Sequence, residues 1–194
     1  MKKTFAALFA LALTSSSALA AEYKIDADHS VVGFKVKHLA ISSVPGRFVK
    51  FDGKFNFDPS DVKDAKAEAK IDVVSVDTAQ SKRDEHLRSP DFFEVVKFPE
   101  IQFVSKQVTP GKDKEFKVTG DLTIRGVTKL VTLDVVYDGS AKDLYGNDRA
   151  AFSATTKINR KDFGLTWNKV IEAGAVVVGD EVTVNLEIQG IKQS

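Results

Sequence analysis

From Val32 onward, apolar and polar residues alternate with a period of two through nearly every segment of the chain. Val32, Phe34 and Val36 share one face, and Gly33, Lys35 and Lys37 share the other. Phe51, Phe55 and Phe57 follow, with Gly53 between them, and stop at the turn Asp58-Pro59-Ser60-Asp61. Ala65, Ala67, Ala69, Ile71 and Val73 then alternate with Lys66, Glu68, Lys70 and Asp72. By propensity a helix is a rival for 65–70, but the parity runs unbroken into β-branched residues, which favours a strand. Further strands are predicted from Ile101 and Phe103, over Phe116–Ile124, Val131–Tyr137 and Phe152–Ile158, and finally over Val182–Ile188. Arg125-Gly126 marks a tight turn between two of them.

One stretch breaks the alternation. Ser81 to Ile101, SKRDEHLRSPDFFEVVKFPEI, is charged and helix-competent at its start. Ser81 is a candidate cap, and Asp84 and Glu85 suit the positive end of a helix dipole. Pro90 disfavours helix at Ser89, and Pro99 does the same at Phe98. Between the prolines lie Phe92, Phe93, Val95, Val96 and Phe98, too apolar for an ordinary solvent loop. The reading is a short helix near 81–89 followed by an apolar plug across one end of a β structure. Either it guards the entrance to a ligand site or it merely closes the end of a barrel.

The pattern gives about eight strands, mostly joined by short turns, each with one apolar face. That is an all-β antiparallel meander, and such a sheet avoids exposed edges most simply by closing into an up-and-down barrel. A two-sheet sandwich is the competing architecture. Its long cross-connections are harder to find here.

Residues 1–20 read as an address. Lys2 and Lys3 are a positive n-region, Phe5–Leu13 an apolar run, and Ala18-Leu19-Ala20 a small-x-small cleavage site, with a cut after Ala21 as the alternative. The expected domain is therefore 21–194, and the compartment the periplasm. Cleavage removes two lysines and no acid, turning a net charge of +1 into −1. A near-neutral chain lacks the basic footprint of a nucleic-acid binder. No later run is long enough to span a bilayer. With no Cys, disulfides, thiolate metal sites and Cys nucleophiles are excluded, and the core alone holds the fold.

An eight-stranded barrel either fills with its own side chains or holds one small ligand. The proposed inner face carries Phe34, Phe55, Phe57, Phe103, Phe116 and Phe152 beside Ala65, Ala67, Ala69, Gly120 and Ala154. Fourteen Phe against three Tyr and one Trp offer area without a polar handle, so a cavity lined this way accepts hydrocarbon and rejects polar metabolites. Phe and Ala interdigitating into a solid barrel is the reading that composition alone favours. Arg83, His86 and Arg88 on the helix are head-group candidates, or else a solvated face paired with Asp84 and Glu85. The three histidines, His29, His38 and His86, have no zinc-like spacing, and no Ser lies in a nucleophile-elbow pattern. No catalytic or metal residue is assigned.

Several stretches resemble the YceI family of secreted bacterial proteins: Ile25–Ser30 continuing through Val36–Leu39, Ser75–Thr78 with Arg83–Phe93, Gly120–Lys129, and Phe163-Gly164 before Gly179–Val182. The resemblance spans the chain after residue 20 in order. It implies a lipocalin-like eight-stranded barrel with a helix between strands. It also implies binding of polyisoprenoid or other long amphiphilic lipids, isoprenoid-tailed quinones among them, with no enzymatic activity. Leu130 departs from the pattern, standing where many relatives have Pro. The segment Leu165–Asn168 with Ile171–Val178 is either a flap over the mouth or a strand start.

The expected function is thus a periplasmic lipid carrier with no cofactor beyond its ligand, a polyisoprenoid or prenyl quinone. The tail lies along Phe34, Val36, Phe55, Phe57, Ile71, Phe103, Val118, Ile124 and Phe152, with Trp167 near one opening. Two rivals stay open: an enzyme acting on the bound lipid with His38 or His86 as base, and an envelope or stress protein with a filled barrel. Membrane contact is expected only in passing, and a homodimer is among the states the sequence leaves open.

Overall fold

The computed structural model describes residues 20–170 and 176–193. The expected targeting segment lies outside them up to residue 19, as do residues 171–175 of the expected flap. Among the described residues, eleven strands form one antiparallel sheet: β1 Ala21–Ile25, β2 Val31–His38, β3 Ser42–Phe48, β4 Phe51–Phe57, β5 Lys66–Asp72, β6 Val76–Asp77, β7 Glu100–Pro110, β8 Glu115–Ile124, β9 Val127–Lys142, β10 Asp148–Asn159 and β11 Val178–Lys192. One α-helix, α1 Ser81–Arg88, lies between β6 and β7.

The eleven segments make eight staves, because β1 continues into β2, β3 into β4, and β5 into β6, each across a short break. β2 and β3 pair as a hairpin, and β1 and β4 pair as its continuation, Val32 opposite Phe48 and Tyr23 opposite Phe55. From there each stave pairs with the next, and β11 returns to pair with both β2 and β1. The barrel is closed, up-and-down and eight-staved.

Three serines repair the ladder where staves break or bulge. Ser30 Oγ donates to the Asp26 carbonyl at 2.7 Å and accepts from the Gln189 N–H at 2.9 Å, bridging the gap between β1 and β2. Ser75 Oγ donates to the Asp72 carbonyl at 2.6 Å and accepts from the Lys50 N–H at 3.0 Å. Ser105 Oγ takes the Ala67 N–H at 2.8 Å beside the β7 irregularity. A hydroxyl is both donor and acceptor, so one side chain can satisfy backbone groups that the interrupted ladder leaves over.

The β8–β9 hairpin turns on Arg125 and Gly126, both at positive φ (51° and 74°), as a two-residue turn matching strand twist requires. The helix forms where expected, but its cap is Gln80, whose side chain accepts from the Arg83 N–H at 2.6 Å; Ser81 is already helical. β3 carries no clear alternation in the sequence, whereas β1 alternates Ala21, Tyr23 and Ile25 against Glu22 and Lys24 but stands ahead of the strands predicted from Val32 onward. Pro45-Gly46, which reads as a turn, sits inside β3 opposite Lys35 and Phe34.

Candidate functional site: an apolar cavity in the barrel

The inner faces of the staves enclose a cavity of about 300 Å³ whose surface is almost wholly hydrocarbon. Its wall alternates as the sequence does. Ala65, Ala67 and Ala69 supply the space on β5 and just before it, while Phe103, Leu133 and Leu186 supply the bulk elsewhere. Nine residues proposed to contact a ligand tail (Phe34, Val36, Phe55, Phe57, Ile71, Phe103, Val118, Ile124, Phe152) all stand in this wall.

The two ends of the barrel are built differently. At the end where the chain begins and ends, Phe57, Phe116, Tyr137 and Phe152 pack as stacked, tilted and edge-to-face rings, with Phe57–Phe152 centroids 4.8 Å apart. Tyr23 stacks on Phe55 at 5.0 Å, and Phe55 meets Phe152 edge-on. Aromatic pairs in such geometry add to the burial they already provide. This cluster is a floor, so part of the predicted filling is real, though confined to one end.

At the opposite end a second apolar group, including Phe48, Val73, Val76, Phe92, Phe163 and Leu165, forms the roof under α1 and the plug. Phe92 is buried, as expected of a plug, whereas Val96 is 98% exposed and takes no part in it.

The charged residues of the helix hold this roof in place. Arg83 Nε donates to Thr78 Oγ1 and Nη2 to the Thr78 carbonyl, both at 2.7 Å. Arg88 donates to the Val74 and Val76 carbonyls at 2.8 and 2.9 Å. Asp84, expected on a solvated face, is instead buried and accepts from the Thr78 N–H at 2.9 Å and from its hydroxyl. His86 bonds Asp91 at 2.8 Å and meets the Phe92 and Trp167 rings edge-on. Neither the head-group candidates Arg83, His86 and Arg88 nor Trp167 is part of the cavity wall. Arg83 and Arg88 tie α1 to the chain around β6, His86 ties it to Asp91 of the plug, and Trp167 backs the plug through Phe92 at 5.2 Å.

Two arginines missed by alternation complete the roof. Arg125 donates to the Pro90 carbonyl and to Glu94 Oε2, both at 3.0 Å, and to the Gly164 carbonyl, joining the plug to the β10–β11 connection. Arg160 lies in the cavity wall and is only 4% exposed. It donates to the carbonyls of Leu165, Trp167, Val178 and Gly179 and to Asp180 Oδ1, so both legs of that connection converge on one guanidinium. Burial lowers its pKa from the ordinary arginine value, with the nearby Asp180 charge opposing. Only Asn159-Arg160, directly after an alternating strand, could have hinted at it.

Among the described residues no group of three or more His, Asp or Glu side chains is placed to hold a metal, and no helix is long and apolar enough to cross a membrane.

A sequence-family description, YceI-like domain, matches residues 23–190. The chain belongs to the YceI-like family. A UPF0312 protein of Pseudomonas putida is 39% identical over 197 aligned residues, covering all of this chain and 99% of that protein. The crystal structure of BcnA from Burkholderia cenocepacia superposes with a TM-score of 0.76 at 25% identity, covering 85% of this chain and 98% of that one. A polyisoprenoid binding domain from Saccharophagus degradans shares the fold, with a TM-score of 0.65 at 19% identity over 90% of this chain and 99% of that one.

Proposed function

We propose that this YceI-like protein is an exported carrier that holds the tail of a polyisoprenoid or isoprenoid-tailed quinone inside its barrel, in the periplasm. The observation that carries the reading is the cavity itself: enclosed by a closed barrel, floored by aromatic rings, and lined almost entirely by hydrocarbon. The tail lies along Phe34, Val36, Ile71, Phe103, Val118 and Ile124, and ends against Phe55, Phe57 and Phe152. Each CH₂ moved out of water contributes roughly 0.8 kcal/mol, so affinity comes from length buried without any hydrogen bond. The polyisoprenoid binding domain of S. degradans, which shares the fold, lends support. The role is binding without turnover. His38 and His86, the candidate bases, are not in the cavity wall, which supports that reading.

Native mass spectrometry of protein purified without detergent, followed by organic extraction, tests the proposal. A discrete added mass that extracts as a prenylated lipid is expected. A protein that carries none, and takes up no added prenyl quinone, would reduce the barrel to an envelope component without this cargo.

A further inference from the structure

The roof end of the barrel carries a hairpin tip whose composition does not suit solvent. The β2–β3 turn is Leu39-Ala40-Ile41, with Leu39 and Ala40 at φ 53° and 61°. Side chains rarely adopt that conformation, and tight hairpins normally give such positions to Asn or Gly. Here apolar residues accept it, and Ile41 beside them is 82% exposed. Beside this tip Val170 and Val176 bridge each other and are 73% and 42% exposed. The Leu39 N–H donates to the Val177 carbonyl at 3.0 Å, so the valine bridge adjoins the tip. Val36 and Val178, both in the cavity wall, lead directly into them.

On the hairpin of the first tip the charge has one sign, while the β10–β11 connection carries an acid, Glu172, between Val170 and Val176 in the sequence. Residues 31–50 contain two Lys before the turn, an Arg and a Lys after it, and no acid. Lys35 and Lys37 on β2 and Lys169 beside Val170 are exposed. Arg47 is turned aside to Asp77. An apolar tip flanked by exposed lysines is the composition that enters a lipid interface, with hydrocarbon below the head groups and ammonium groups among the phosphates.

We propose that the β2–β3 tip, with the Val170–Val176 pair beside it, docks the protein on a bilayer surface carrying anionic lipid. Docking there sets the rim of the cavity against the membrane that supplies or receives the cargo, and to that extent it rests on the carrier reading. Selectivity for the surface comes from the lysines and weakens with salt.

The test is flotation of the purified full chain with vesicles of equal parts phosphatidylglycerol and phosphatidylcholine, and with phosphatidylcholine alone. The wild type is expected to float with the first and far less with the second. Ile41→Asp is expected to weaken binding about tenfold, as loss of one inserted side chain implies. Leu144→Asp is the control, being fully exposed at the floor end, and should bind as wild type. Equal binding by wild type and Ile41→Asp, or an equal loss in Leu144→Asp, overturns the proposal. So does light scattering that shows a wild-type dimer and an Ile41→Asp monomer without vesicles, which would assign the tip to a second copy of the chain. Extraction of the same samples separates the two readings. Cargo present without vesicle binding sinks the docking alone, and vesicle binding without cargo sinks the carrier reading alone.

Discussion

The ring of Phe34 lies across Gly46, its direct partner on the neighbouring strand, and fills the space that a Cβ at residue 46 would take. Phe103 takes the same posture over Gly120. Rings laid flat against the wall in this way leave the centre of the barrel open. Gly46→Ala should therefore turn the Phe34 ring inward and shrink the cavity, at a stability cost of about 1–3 kcal/mol for overpacking. Lipid recovered per mole of protein is expected to fall; an unchanged yield from a folded variant would contradict this role of the pair.

Phe103→Asp places a charge in the hydrocarbon wall, where nothing compensates its desolvation. The variant is expected to lose the co-purifying lipid in native mass spectrometry, with a lowered melting temperature. If it keeps its fold and its lipid, Phe103 does not line the occupied space.

Ser75→Ala removes the hydroxyl that takes the Lys50 N–H and bonds the Asp72 carbonyl. Leaving a partly buried N–H without a partner costs about 1–3 kcal/mol, readable as a lower urea midpoint. A control at an exposed serine such as Ser140 should stay within about 0.5 kcal/mol of the wild type.

Arg160 cannot be replaced by lysine. A single ammonium cannot reach four carbonyls and a carboxylate from one planar fork, so Arg160→Lys should destabilise the β10–β11 connection nearly as much as Arg160→Met. Hydrogen exchange of the Leu165 and Val178–Asp180 amides would report it. Protection equal to wild type in the lysine variant would mean that the fork is dispensable.

Acid stability should depend on Arg149. Its guanidinium bonds Asp26 and Asp143, and with the His29 contact this holds the Asp26 carboxyl below its ordinary pKa; Asn147 and Arg149 hold Asp143 lower still. A carboxyl depressed on folding stabilises fully above its unfolded pKa, near 4, and that contribution disappears as pH falls through the folded value. The wild type should lose stability progressively below about pH 4. Arg149→Met should be weaker at neutral pH and flatter across that acid range, in denaturant titrations at each pH.

How legible this molecule was depended on which force fixed each residue. Alternation marks a wall facing hydrocarbon on one side and water on the other, so Phe55, Ile71 and Val118 could be placed from their parity alone. β3 could not, because Pro45 and Gly46 are turn residues by local preference and strand residues only through Phe34 across the ladder. The helix was visible from its prolines and charges, but the use of those charges was not. Arg83 bonds the Thr78 carbonyl just past β6 and Arg88 the Val74 carbonyl within the break between β5 and β6, contacts that helix spacing does not show. Arg160 depends on a connection folded back over it, which no spacing along the chain records.

The barrel closes through a seam between its first and last strands, where Tyr23 stands opposite Lys192. No shorter stretch of chain can make that closure, and joining ends so far apart is the entropically slow step of such a topology. Until it happens the sheet is an open trough, with its greasy lining accessible from the side as well as from the roof. Loading before closure and loading after it are therefore different events. A lipid present while the protein folds can be wrapped, whereas one arriving later has to pass the roof.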